Sequence, residues 1–196
     1  MSCPGAKGSS ASLTSAALAL VCWMVSASPP VFGATLPSSL RFTLEDATER
    51  HSPFLQQSTG PWLERMEPRL GRFAVIRSQR GELLHHVYQE AHLAGLPPSL
   101  VLALIEVESA FQPDAVSSAG AVGLMQIMPF WVRELGLPAD DLKDPVRNLR
   151  YGCTILAHYL AVEKGDFTRA LARYNGSLGE TWYPERILGA WRQHWR

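Results

Sequence analysis

The sequence predicts an all-α fold, and three observations lead there. After residue 60 the apolar positions recur at helical spacing. The gaps between these segments carry helix punctuation: Pro97-Pro98, Asp144-Pro145 and Asp166 at starts, Gly95 and Gly176 at stops. No run alternates apolar with polar residues as a half-buried strand would, and there is no internal repeat or heptad.

Taken in order, residues 1–27 read as a signal peptide. Lys7 gives a weakly positive start, and Ala16 to Val25 is a ten-residue apolar stretch, too short for a stable anchor. Val25-Ser26-Ala27 is the expected cleavage site, with Phe32-Gly33-Ala34 as the second choice. Val21 stands before Cys22 where a lipid-attachment motif needs a small residue, so a lipid anchor is not expected. Cleavage at Ala27 removes Cys3 and Cys22 and leaves Cys153 alone, read as a small core residue.

Residues 28–80 form the arm, flexible or partly helical. Its first half is rich in Ser, Pro, Thr and Gln, and Pro61 to Phe73 offers a short helix with Trp62, Met66 and Leu70 on one side. The domain proper spans residues 81–196. Gly81 to Ala94 carries a stripe of Leu84, Val87, Tyr88 and Ala91. Pro97-Pro98-Ser99 opens a helix whose SLVLALIEV run is apolar nearly all round, which places it at the centre of the domain. A glycine-rich loop (SSAGAVGLMQIMP) precedes a short helix from Phe130 to Leu135. A long helix from Pro145 to about Glu163, one capped by Asp166, and one marked by Ile187, Leu188, Trp191 and Trp195 complete the order. His194 and Arg196 are expected to meet solvent.

Composition limits the function classes. With 196 residues, 46% apolar and 18% charged, the chain can bury a core. Eighteen basic groups balance eighteen acidic ones, so nothing neutralises phosphates in bulk and no nucleic-acid partner is expected. No apolar run approaches the ~20 residues of a membrane span. Glu82, His85, His86 and His92 crowd one helix, but a dinuclear site needs Glu-x-x-His twice with two further Glu, so neither metal nor cofactor is expected.

The chemistry concentrates at the end of the buried helix. Glu106 and Glu108 both interrupt its apolar run, and about 100° per residue sets them about 200° apart, so only one can face a given cleft. Glu108 shares its face with Val101, Leu104 and Ile105. A carboxyl group pressed against hydrocarbon loses hydration and holds its proton toward neutral pH, as a general acid must.

The string IEVESAFQPDAVSSAGAVGLMQIMP, followed by DPVRNLRYG and ALARYNGS, resembles the soluble lytic transglycosylase (SLT) domain over about residues 81–196. The resemblance implies a lysozyme-like helical fold that cuts peptidoglycan between N-acetylmuramic acid and N-acetylglucosamine. It implies that Glu108 is the single acid/base carboxylate, with Ser109 its neighbour. Gly123, Leu124, Met125 and Gln126 would line the cleft, with Met125 and Gln126 touching sugar. Tyr174 would reach the catalytic carboxyl and Asn175 would bond substrate. Arg173 departs from the alanine of the family's Ala-Tyr-Asn motif; it either points outward or reaches the cleft and lowers the Glu108 pKa. Asp114, Glu134 and Asp140 are the other carboxylates near this stretch.

The expected reaction is internal: Glu108 protonates the glycosidic oxygen, then takes the proton of the muramic 6-hydroxyl as it closes a 1,6-anhydro ring. The resemblance extends to exported, monomeric periplasmic enzymes, some of which open the wall for secretion or conjugation machinery. Two other readings remain open: a wall-binding assembly factor that cuts poorly, and a lysozyme-like hydrolase that uses water.

Overall fold

The computed structural model describes residues 59–134 and 139–196, and all the long elements are helices, as expected. The signal peptide and the tether up to residue 58 lie outside the described residues, as does Leu135. Among the described residues seven α-helices follow one another: α1 (Gly60–Leu70), α2 (Arg77–Leu93), α3 (Pro98–Ser109), α4 (Phe130–Glu134), α5 (Pro145–Val162), α6 (Phe167–Asn175) and α7 (Trp182–Ala190). A 3-10 turn at Ala139–Lys143 leads into α5, and a π turn at Trp191–Trp195 closes the chain. Among the described residues no single helix is long and apolar enough to cross a membrane.

Helix α3 is the central post. Leu100 to Ile105 are all buried, and the helix packs on α2, α7 and the terminal π turn. It ends abruptly because Ala110 (φ 48°) and Phe111 (φ 64°) both adopt the left-handed conformation, which side chains other than glycine disfavour. The packing of Phe111 holds that reversal: its ring lies 4.7 Å from Phe73 and 5.5 Å from Trp195. Glu108 is thereby fixed in the last turn of a rigid helix.

The packed unit also takes in α1. Met66 and Leu70 join the same core as α3, so part of the segment read as an arm belongs to the domain. Arg69 of α1 donates from Nη1 to the carbonyls of His194 (2.9 Å) and Arg196 (2.5 Å), closing the first described helix on the chain's end. Helix α2 starts four residues before the expected Gly81, because its first turn (Arg77-Ser78-Gln79-Arg80) has no apolar residue to mark it.

Trp195 is fully buried, and Trp191 donates from Nε1 to Ser99 Oγ at 2.8 Å. His194 is not simply solvated: its Nδ1 lies 2.7 Å from Glu106, whose second oxygen accepts from Trp195 Nε1 at 2.6 Å. The two glutamates of α3 therefore have separate employment, Glu106 binding the C-terminus and Glu108 facing the other side. Cys153 is buried, and burial raises its thiol pKa.

Helices α2 and α5 are joined by a bidentate pair in which Arg150 donates to Glu90 from Nε (3.1 Å) and Nη2 (2.8 Å), with Glu90 itself buried. Replacing Arg150 by Met leaves that carboxylate in the core without a partner. Urea unfolding should register a loss of about 3 kcal/mol at neutral pH.

Candidate active site

Glu108 is partly buried at the C-terminal end of α3 and accepts a hydrogen bond at Oε1 from the Tyr183 hydroxyl of α7. Burial dominates its electrostatics and raises its pKa from 4.5 to about 7, against the lowering effects of the Tyr183 hydrogen bond and the Arg186 charge. The carbonyls at the end of α3 also disfavour negative charge at this position. Tyr183 is itself buried beside this acid, which pushes its pKa well above the usual tyrosine value and keeps it a donor. With Oε1 engaged, Oε2 is left to carry a transferable proton. Among the described residues, none of the groups acting on Glu108 is a second carboxylate.

The Gly123-Leu124-Met125-Gln126 segment is the tip of a very short hairpin. Val122 and Ile127 exchange both backbone hydrogen bonds at 2.9 Å. Its anchor is Asn148, a fully buried side chain on α5. Asn148 Oδ1 accepts from Met125 N at 2.8 Å, and its Nδ2 donates to Val122 O at 2.8 Å and Leu142 O at 3.0 Å. Gly123 is required because its φ is +83° and a Cβ there would lie 2.2 Å from Asn148 Nδ2. The loop is locked to α3 as well, since the Ser109 hydroxyl donates to Leu124 O at 2.8 Å.

The Met125 side chain is fully buried in a notch that Gly152 opens, where a Cβ would come within 2.4 Å of its sulfur. Leu124 and Ser109 are also turned inward. Gln126 spends its amide nitrogen on the loop, donating to Gly123 O (2.9 Å) and Ala115 O (3.2 Å), so its oxygen is the part left for a ligand. Tyr174 does not bond the catalytic carboxyl; its hydroxyl donates to Met125 O at 2.8 Å, and Tyr183 takes the position at Glu108. Asn175 is exposed at the end of α6, available to a substrate.

Arg173 resolves in favour of the outward alternative. It donates to Glu163, which also receives Arg169, and the cation that acts on Glu108 is Arg186. Among the remaining carboxylates, Asp114 is exposed, and the side chains of Glu134 and Asp140 lie outside the described residues. Asp114 borders a separate cleft of about 610 Å³ between α2, Phe111 and the start of α5, with Glu82 and His86 also on its wall. Glu108, Tyr183 and Asn175 do not line that cleft, so it is not the place of the acid chemistry.

Three residues that matter here escaped the sequence reading. Asn148 had a signal, a polar residue on the buried stripe of α5 with Tyr151, Gly152 and Ile155. Tyr183 had a weaker one, standing four residues before the core residue Ile187 and therefore on the inward face of α7. Arg186 had none.

Comparison with known proteins places the chain. A transglycosylase of Enterobacteria phage PRD1 is 33% identical over 100 residues, which is 47% of this chain and 37% of the phage protein. The membrane-bound lytic murein transglycosylase C of Klebsiella pneumoniae subsp. pneumoniae is 37% identical over 109 residues, 47% of this chain and 30% of that protein. Among solved structures, the X-ray structure of an inactive mutant of lytic transglycosylase Slt from Pseudomonas aeruginosa is 34% identical, with a TM-score of 0.44, covering 48% of this chain and 17% of the other. The matched segment spans well under half the length of each relative. Residues 87–189, which hold Glu108, the Asn148-anchored loop, Asn175 and Tyr183, match the family described as the transglycosylase SLT domain, and the chain belongs to that family.

Proposed function

We propose that the protein is a peptidoglycan lytic transglycosylase of the cell envelope, cleaving the β-1,4 bond between N-acetylmuramic acid and N-acetylglucosamine. The observation that carries this reading is Glu108, a carboxyl group with its pKa near 7 and, among the described residues, no partner carboxylate acting on it. Ordinary glycosidases flank the bond with two carboxylates, one to donate a proton and one to supply or activate the nucleophile. A site with one can dispense with the second by using a nucleophile that the substrate brings. Glu108 donates its proton from Oε2 to the glycosidic oxygen, and the C1–O bond breaks. The resulting carboxylate then accepts the proton of the muramic 6-hydroxyl as that oxygen bonds to C1. The proton count closes, no water is consumed, and the product ends in a 1,6-anhydro ring. Holding the hydroxyl near its own anomeric carbon makes the step intramolecular, a gain that reaches about 7 kcal/mol in well-aligned cases.

Tyr183 steadies the carboxylate between the two half-reactions, and Gln126 Oε1 and Asn175 are the side-chain groups offered to the sugars. The family resemblance also supports export to the periplasm and service to a secretion or conjugation apparatus, tested by wall passage of that apparatus in a strain lacking this protein.

Digestion of purified sacculi with the full chain tests the chemistry through product mass. Anhydro ends are one water lighter than the reducing ends that hydrolysis would leave. Reducing ends would establish the lysozyme-like alternative, and binding without release of fragments would establish the assembly factor.

Tyr183→Phe gives a separate check. The lost hydrogen bond stabilised the charged form of Glu108, so its pKa should rise and the alkaline limb of the kcat/KM profile should move to higher pH. kcat should fall at the same time, because the intermediate carboxylate has lost its donor.

A further inference from the structure

We propose that the outer face of α7, formed by Trp182 and Arg186, is the subsite for the carboxylate-bearing substituent of the muramic residue, Trp182 presenting its ring to the glycan and Arg186 its guanidinium to the carboxylate. The inference rests on the function proposed above.

Position comes first. Tyr183 at the start of α7 is bonded to Glu108, and its neighbour Trp182 sets its ring edge-on to the tyrosine at 5.7 Å and 83°. Arg186 lies one turn further on, close enough for its charge to act on Glu108. At i and i+4, Trp182 and Arg186 share one helix face with about 6 Å between their Cβ atoms. They form a continuous rim beside the acid.

Neither side chain is buried. Trp182 is 50% exposed although it opens a helix whose other large apolar residues, Tyr183 and Ile187, are buried. Arg186 is exposed and, among the described residues, makes no hydrogen bond, ion pair or cation–π contact. An exposed indole forgoes burial, while a flat sugar face can cover it. A guanidinium beside a general acid also has an electrostatic cost, because it favours loss of the proton that the acid must keep.

That cost disappears if the substrate neutralises the cation. The sugar backbone of peptidoglycan is uncharged. Its anionic groups are the carboxylates of the peptide stem and, where the stem has been removed, the lactyl carboxylate of the muramic residue, which an attached stem otherwise holds as an amide. A carboxylate forms a charge-assisted, two-pronged bond with Arg186. Once paired, Arg186 no longer pulls on Glu108, so an occupied site protects the proton that the reaction needs.

The test uses the full chain carrying Glu108→Gln, so that ligands survive, and titration calorimetry at low salt. The probes are a peptide-bearing glycan fragment, the same fragment stripped of peptide by an amidase, which leaves a lactyl carboxylate, and chitotetraose, which has no carboxylate. A carboxylate-bearing fragment should bind about tenfold more tightly than chitotetraose, the value of one charged hydrogen bond. Adding Arg186→Gln should abolish that preference and Arg186→Lys should restore part of it. Trp182→Ala should weaken all three ligands, chitotetraose included. A preference seen with the stripped fragment assigns the lactyl carboxylate, and one confined to the peptide-bearing fragment assigns the stem. A preference untouched by Arg186→Gln, or an equal loss on all three ligands, overturns the assignment alone. Failure of all three to bind before Arg186 is changed overturns the peptidoglycan reading with it.

Discussion

Glu108→Gln is expected to lower the rate of sacculus digestion by about 10³-fold or more, because one group serves as both acid and base. The same substitution should stabilise the fold at alkaline pH. In the native state the carboxyl keeps its proton up to about pH 7, whereas the unfolded chain releases it near 4.5. Between these values the folded state binds more protons than the unfolded state, so stability falls as pH rises. Above pH 7 the accumulated cost is about 3 kcal/mol, at 1.36 kcal/mol per pKa unit. Glutamine has nearly the same shape, still accepts from the Tyr183 hydroxyl and carries no charge. Thermal melts at pH 8 should therefore place the variant about 10 °C above the parent, with the gap closing toward pH 4. A variant no more stable than the parent at pH 8 would mean that Glu108 is hydrated and ordinary, and the single-carboxylate chemistry would lose its basis. The activity profile of the parent should agree, kcat/KM falling about tenfold per pH unit above pH 7 as the acid form is lost.

The helices and the burial of Glu108 were legible because each rests on local physics. The SLVLALIEV run demands burial on all sides, and a glutamate at its end must then lose water. Asp144 and Asp166 cap α5 and α6 as read, each accepting from a backbone N–H three residues on. What stayed hidden depends on contacts distant in sequence. Tyr183 reaches Glu108 across 75 positions, and nothing in its own neighbourhood marks which partner it meets. The glycine of the Gly-Leu-Met-Gln segment makes room for the Asn148 amide, and a missing Cβ does not reveal what approaches it. The two left-handed residues after Ser109 are equally silent. Ala110 and Phe111 carry no turn signal, and tertiary packing of the Phe111 ring imposes their conformation.

Asn148 should prove the most sensitive residue outside the reacting groups. Asn148→Leu preserves volume while leaving Met125 N–H and Leu142 O without the amide and stripping Val122 O of one of its two donors, the other being Ile127 N. Each lost partner costs about 1–3 kcal/mol, so a combined loss of about 4 kcal/mol in urea unfolding is expected even after some relaxation. Asn148→Asp should be worse at neutral pH, where the carboxylate repels both carbonyls, and should recover toward acid, where a protonated carboxyl can donate once. That pH response separates a hydrogen-bonding role from simple packing, because leucine would show none. Activity should fall at temperatures where the fold survives: the loop presents Met125 O to Tyr174, and Tyr174 packs beside Glu108. Gly123→Ala acts on the same contact from the other side, its Cβ displacing the amide. The two substitutions should therefore be non-additive, the double variant being less destabilised than the sum of the singles. Strict additivity would mean that the loop is held by Ser109 and Tyr174 without this asparagine.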